Sequence, residues 1–106
     1  MNEIRIAVVG LGHRALHWIR LLQRLDGYRI VAVCDPIAGL LEPAMATLTD
    51  RDGVRSTTSY SEILIAPDVD AVALCVRCEE QGALAAMALE AGKHVNSEVP
   101  AAHTID

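Results

Sequence analysis

The most informative stretch of the sequence is "IAVVGLGHRALHWI", residues 6–19. It joins a β-branched apolar run to a helix-forming run, with Gly10 and Gly12 at the junction. Because glycine weakens both strands and helices, such a pair indicates either a tight turn or the close approach of a ligand to the backbone. The stretch therefore predicts a strand, a glycine loop and a helix in that order.

Short apolar runs and helical stretches alternate along the rest of the chain. We predict strands at 4–9, 29–34, 54–57, 71–76 and 93–96, and helices at 13–25, 37–48, 60–65 and 79–91. This alternation is typical of β–α–β units with right-handed crossovers. It predicts an α/β fold of the doubly wound type, with a parallel sheet in the strand order 3-2-1-4-5. At 106 residues, the chain forms one domain over 1–106.

Two helices give more detailed predictions. In the helix at 13–25, the apolar side chains of Leu16, Trp18, Ile19, Leu22 and Leu25 recur at three- and four-residue steps, and we expect Trp18 to anchor the core. Ser59, followed by Glu62, resembles an N-terminal cap for the helix at 60–65.

Composition excludes some classes of function. The net charge of −5 and the lack of a basic stripe with aromatics argue against nucleic-acid binding. No apolar run approaches the ~20 residues that span a bilayer, which argues against a membrane protein, and the N-terminus lacks the pattern of a signal peptide. With only three cysteines, the chain is predicted to be cytoplasmic with reduced thiols.

The glycine pair belongs to a longer motif. Residues 10–15 read G-L-G-H-R-A and match G-x-G-x-x-(G/A), the dinucleotide-binding fingerprint. Gly10 would allow the turn, Gly12 would admit a pyrophosphate at the helix N-terminus, and Ala15 would keep the helix close to the strand. We therefore assign cofactor contacts to the whole loop: Gly10, Leu11, Gly12, His13, Arg14 and Ala15.

An acid at the end of the second strand completes the fingerprint. Asp35 ends "RIVAVCD", about 20 residues after the motif, where a carboxylate binds the ribose hydroxyls of a dinucleotide. The same charge repels a 2′-phosphate, and no Arg or Lys follows in "PIAGLLEPA" to reverse that preference. The sequence therefore favours NAD over NADP.

Four segments together resemble the glucose–fructose oxidoreductase, inositol dehydrogenase and MocA family. They are "IAVVGLGHRA", "VAVCDP", "YSEIL" before "DVDAVALCV", and "ALEAGKHVNSEVPAA". The resemblance implies an N-terminal Rossmann domain, here a fragment truncated before the family's last strand and its C-terminal domain. It also implies oxidation of a sugar or cyclitol hydroxyl, contact with a carbohydrate-like substrate through the missing domain, and a homo-oligomer.

The resemblance also assigns residues and shows departures. Glu98 matches an acid that lies near the nicotinamide ribose in the family, and Val76 stands at a cofactor-contacting Thr-Pro position. Val99 replaces the family's lysine, and Gln81 replaces a frequent histidine. With the lysine missing, we assign no catalytic residue, and we expect no turnover from these 106 residues alone.

Three functions stay open at this point. The chain resembles the NAD-binding part of an oxidoreductase, and "GHR", "VCDP" and "EVPAA" also resemble a branch of NAD-dependent α-N-acetylgalactosaminidases. A non-catalytic NAD-binding module is the third. Cys75 and Cys78 are spaced as in redox or zinc motifs, but Cys75 falls in an apolar strand and no second pair exists, so we predict no metal site.

Overall fold

Strands and helices alternate along the computed structural model, which describes residues 3–97. The strands are β1 (Ile4–Val9), β2 (Tyr28–Cys34), β3 (Arg55–Thr57), β4 (Ala71–Leu74) and β5 (His94–Ser97). The helices are α1 (His13–Arg24), α2 (Leu41–Ala46), α3 (Tyr60–Ile65) and α4 (Cys78–Glu90). All strand pairs are parallel, and the sheet order is β3-β2-β1-β4-β5, which confirms the predicted topology.

Strand β1 lies at the centre of the sheet, between β2 and β4. Ile6 and Val8 face a core shared with α1 and α2, whereas Ala7 and Val9 face a second core shared with α3 and α4. None of the four is more than 4% exposed. Burial on both faces explains why this run is apolar without alternation.

Helix α1 buries a narrower face than predicted. Ala15, Ile19 and Leu22 are buried at steps of four and three residues. Leu25 is 43% exposed because it caps the helix in an extended conformation and so leaves the buried face. Trp18 is only half-buried, since its position lies beside the buried stripe. The prediction of Trp18 and Leu25 as core residues was wrong.

The predicted helix at 37–48 is divided and shorter. A 3₁₀ turn covers Ala38–Leu40, and α2 extends only over Leu41–Ala46. Pro43 explains the late start, because a helix beginning at residue 37 would need the N–H that proline lacks. In α2, Pro43 lies in the first turn, where an N–H would have no helical partner. Among the helices of the described part, none is long and apolar enough to cross a bilayer.

The start of α3 agrees with the prediction, whereas the end of β4 differs from it. The predicted cap on α3 is confirmed, since the Ser59 side chain accepts a hydrogen bond from the Glu62 N–H at 3.3 Å. Strand β4 ends at Leu74 rather than at residue 76, and Cys75 packs against the core beside α1 as a small, partly buried residue.

Polar contacts that the sequence did not predict join the amino ends of the strands. The Arg5 guanidinium donates to both carboxylate oxygens of Asp70 at 3.0 Å, and the Arg5 N–H donates to the same carboxylate at 2.9 Å. Lys93 Nζ donates to the carbonyls of Ala66 and Val69, each at 2.7 Å. These bonds tie β1 to the start of β4, and β5 to the turn after α3.

The Arg5–Asp70 contact predicts a dependence of stability on acid pH. Hydrogen bonds from the Arg5 side chain and backbone hold the pKa of Asp70 at about 2, below its ordinary 3.8. Because the pKa of Asp70 is lower in the folded state than in the unfolded state, the contact stabilises the fold at pH values above the unfolded-state pKa of 3.8. That stabilisation is lost as the pH falls from 3.8 to about 2. Asp70→Asn should therefore lower the thermal midpoint at pH 7 and flatten its decline between pH 4 and about 2.

Thermal unfolding followed by circular dichroism from pH 7 to 2 measures this difference. The control is Asp26→Asn, an equal change of charge at an exposed position near the end of α1. If Asp70→Asn and Asp26→Asn gave the same pH profile, the Arg5 contact would not stabilise the folded state.

Candidate functional site

The chain turns sharply at the carboxyl end of β1, where the sheet order reverses between β1 and β4. Gly10 has a φ of +91°, a conformation that side-chain-bearing residues rarely adopt. A Cβ at this position would lie 2.7 Å from the carbonyl oxygen of Cys75 and 2.8 Å from Cγ1 of Val76. Glycine is therefore required for the turn and for its contact with the end of β4, which brings Val76 beside the loop. The contact of Val76 with a cofactor stays a prediction.

Gly12 serves a different purpose. It is the N-cap of α1 with an ordinary φ of −73°, and an added Cβ would meet no described atom within 4 Å. The cap carries no side-chain hydrogen bond, and the first turn of α1 contains no acidic residue. Among the described residues, the positive end of the α1 dipole therefore has neither a capping side chain nor an acidic residue of its own first turn, which is an arrangement that favours binding of phosphate groups.

The other residues of the loop divide into two groups. His13 and Arg14 are exposed at the first turn of α1. Ala15 is fully buried, so it lets α1 pack closely on the sheet as predicted. Leu11 is 2% exposed and its side chain belongs to the core, and its contact with a cofactor stays a prediction.

Asp35 lies against this loop. Its side chain is 7% exposed, and Oδ2 accepts the Leu11 N–H at 2.8 Å. Oδ1 accepts the Ile37 N–H, also at 2.8 Å. A carboxylate offers about four acceptor sites, so hydroxyl groups of a ligand can still bind to it.

A cavity of about 470 Å³ opens at the same edge of the sheet. Val9 and Cys34 line its inner end, and Thr58 and Tyr60 lie to one side. Its lining is completed by Pro36 and by the first turns of α4, through Glu79, Glu80, Ala83 and Leu84. A larger cavity, about 750 Å³, lies at the amino ends of the strands among ion-paired side chains, away from the glycine loop. Volume alone therefore does not locate the site.

Two groups in the 470 Å³ cavity have raised pKa values. Burial, with a smaller effect from the Asp35 charge, raises the pKa of the Cys34 thiol to about 11. Burial also raises the pKa of Tyr60, whose hydroxyl donates to the Leu84 carbonyl at 2.7 Å and so joins α3 to α4. Both groups are therefore neutral at physiological pH.

Gln81 is a site residue whose function the sequence did not reveal. It is 7% exposed, and its Nε2 donates to the Val76 carbonyl at 3.1 Å. The side chain therefore fixes the turn between β4 and α4 beside Gly10. Its only signal in the sequence was its place at a position where the resembled family often has histidine.

Two further predictions concern the C-terminal residues Glu98 and Val99 and the absence of a metal site. Glu98 and Val99 lie outside the described residues. Across residues 3–97, no group of three or more His, Cys, Asp or Glu side chains is placed to hold a metal ion.

Comparisons with known proteins agree with this geometry. The family model of glucose–fructose oxidoreductase, inositol dehydrogenase and MocA proteins, described as an oxidoreductase family with an NAD-binding Rossmann fold, matches residues 4–106. An α-N-acetylgalactosaminidase from Bacteroides fragilis is 30% identical over 97% of this chain and 25% of its own length. The chain spans about a quarter of the length of the curated relatives that it matches.

Solved structures show the same similarity. A scyllo-inositol dehydrogenase from Lactobacillus casei, with bound NAD(H) and scyllo-inositol, has a TM-score of 0.79 and 26% identity over 94% of this chain and 29% of its own. A 3-ketoreductase variant from Actinomadura kijaniata, in complex with TDP-benzene and NADP, has a TM-score of 0.81 and 26% identity over 94% of this chain and 31% of its own.

The two glycines of the loop should respond differently to the same substitution. Gly10→Ala adds a strained φ and a backbone overlap, so it should lower the free energy of unfolding by about 2 kcal/mol or more. Gly12→Ala should change it by less than about 1 kcal/mol, since loss of the glycine cap and reduced freedom of the unfolded chain oppose each other.

Urea denaturation of both variants beside the unsubstituted chain measures these free energies. Each variant is the control for the other, because both add one methyl group to the same loop. Equal losses of stability would show that the loop does not distinguish the two positions as the structure does.

Proposed function

This chain belongs to the glucose–fructose oxidoreductase, inositol dehydrogenase and MocA family as its NAD-binding Rossmann domain, and we propose that its glycine loop and Asp35 bind the adenosine diphosphate half of NAD. The observation that carries the proposal is the position of the Asp35 carboxylate, bonded to the Leu11 N–H beside the uncapped N-terminus of α1. A ribose acceptor and a phosphate-binding helix end thus lie in one place.

Each part of the dinucleotide has a matching group. The pyrophosphate would lie over Gly12, where the backbone is open and the helix dipole is favourable. The adenosine ribose would donate its hydroxyls to the remaining acceptor sites of Asp35. The adenine ring would enter the 470 Å³ cavity and lie against the apolar part of its lining, which includes Leu84.

We propose that NAD is preferred over NADP. The Asp35 side chain is 7% exposed, and its negative charge would face the 2′-phosphate of NADP. Glu79 and Glu80 add negative charge to the lining of the 470 Å³ cavity. Burial strengthens this repulsion because the surrounding dielectric is low. The NADP bound to the 3-ketoreductase variant belongs to that protein, so the preference is a property to be measured here.

We propose that these 106 residues are the cofactor domain of a longer protein that oxidises a sugar or cyclitol hydroxyl, in line with the scyllo-inositol dehydrogenase similarity. NAD supplies the hydride acceptor in such chemistry. The chain's own residues bind and orient the cofactor, and the carbohydrate-like substrate would contact the part of the protein that these 106 residues do not include. A cytoplasmic homo-oligomer remains a prediction.

A second candidate rests on the similarity to the α-N-acetylgalactosaminidase. In that case the same cofactor site would serve a glycosidase that uses NAD within its catalytic cycle. Val99, which replaces the lysine of the resembled family, supports a third outcome, a non-catalytic NAD-binding module.

Asp35→Ala should weaken NAD binding by about 1–3 kcal/mol, the scale of hydrogen bonds to a charged group. It should also narrow the difference between NAD and NADP affinity, because the charge that repels a 2′-phosphate is removed. Isothermal titration calorimetry with both cofactors measures these effects, and Asp26→Ala is the control at an exposed position. Unchanged NAD affinity in Asp35→Ala would remove Asp35 from the cofactor site.

The candidate activities differ in their products and should be separated by assay of the longer protein. An oxidoreductase forms net NADH with a free sugar or cyclitol. A glycosidase releases the sugar from a nitrophenyl α-N-acetylgalactosaminide without net NADH. NAD binding with neither product would identify a non-catalytic module and contradict both enzymatic proposals.

A further inference from the structure

The Asp35 carboxylate contacts the protein backbone on two sides, which binding a ribose alone would not require. Oδ2 accepts the N–H of Leu11 in the glycine loop, and Oδ1 accepts the N–H of Ile37 after β2, both at 2.8 Å. We propose that Asp35 is a positioning residue that holds the glycine loop in its binding conformation before any cofactor arrives. This inference rests on the proposed function only in taking the loop as the cofactor site.

The carboxylate is suited to this role because its own backbone is fixed. The Asp35 N–H donates to the Thr57 carbonyl at 3.2 Å, and the preceding Cys34 carbonyl accepts the Gly10 N–H at 2.8 Å. Asp35 is thus anchored to β3 on one side and to the start of the loop on the other. Beyond the last backbone hydrogen bond between β1 and β2, the Asp35 side chain adds one more hydrogen bond, to Leu11 in the glycine loop.

Leu11 needs this partner. The residue is 2% exposed, so its N–H cannot be satisfied by bulk water, and a buried N–H without an acceptor is costly. The Asp35 carboxylate supplies a charged acceptor at 2.8 Å, the strong class of hydrogen bond. With Leu11 held, Gly12 and the first turn of α1 follow directly in the chain, so their position depends on the same bond.

The arrangement has a consequence for cofactor choice. A 2′-phosphate could be accommodated only if the carboxylate rotated away, and rotation would release the N–H groups of both Leu11 and Ile37. The same carboxylate position therefore both disfavours NADP and holds the glycine loop in place. Substitutions of Asp35 that accept NADP should also loosen the segment that binds the pyrophosphate.

Amide hydrogen exchange by NMR, on the chain without cofactor, tests the positioning role. In Asp35→Ala, the N–H groups of Leu11 and Ile37 should exchange about tenfold to a hundredfold faster, the range that corresponds to loss of a hydrogen bond to a charged group. The Val72 N–H, in the central part of the sheet, should keep its rate. Asp26→Ala, at an exposed position, should leave all three rates unchanged.

Asp35→Asn provides a second variant in case Asp35→Ala does not fold. Its carboxamide has one oxygen acceptor in place of two, so one of the two N–H groups should exchange faster while the other keeps its protection. Wild-type exchange at both Leu11 and Ile37, in whichever variant folds, would overturn the positioning role.

Calorimetry with NAD on the same samples separates this inference from the proposed function. If the unsubstituted chain failed to bind NAD while the two N–H groups responded as expected, the cofactor proposal would fail and the positioning role would stand. If NAD bound and the two rates did not change, the positioning role alone would fail.

Discussion

The close approach of the Gly10 backbone to the end of β4 determines where the chain turns and where α1 begins. There is no space for a side chain at this point, because a Cβ would overlap the Cys75 carbonyl. The chain can therefore turn away from the central strand at once and begin α1 three residues later, at His13. The fully buried Ala15 keeps the helix close to the sheet, so the N-terminus of α1 remains at the point where the strand order reverses.

The two ends of the parallel sheet differ in how their polar groups are used. At the amino ends, Arg5 is paired with Asp70, and the Lys93 ammonium donates to two backbone carbonyls, so both cations have polar partners within the fold. At the carboxyl ends, Asp35 retains acceptor capacity and α1 begins without a side-chain cap. Because parallel strands collect all their following turns on one edge, these unsaturated groups lie together there.

The sequence predicted the parts of the molecule that depend on local chemistry. Strand β1, helix α1 and the Ser59 cap follow from short-range patterns, and Gly10, Gly12 and Asp35 follow from a motif whose spacing is fixed by the β–α–β unit. The Arg5–Asp70 contact joins residues 65 positions apart, so no local pattern could show it. The apolar periodicity around Pro43 continues through the 3₁₀ turn and α2, so it does not show where the α-helix begins. Leu11 was assigned to the cofactor by its place in the motif, whereas burial shows that its side chain belongs to the core.

The cysteine at the inner end of the 470 Å³ cavity affects how the domain tolerates oxidants. Thiols react with peroxides and electrophiles as thiolates, and a pKa of about 11 leaves Cys34 protonated under cellular conditions. With 1% of its surface exposed, it is also shielded from reagents in solution. Cys34 therefore serves as a small apolar residue of the cavity wall. Sulfenic acid formation, which would introduce a polar group into that wall, is disfavoured both by its protonation state and by its lack of access.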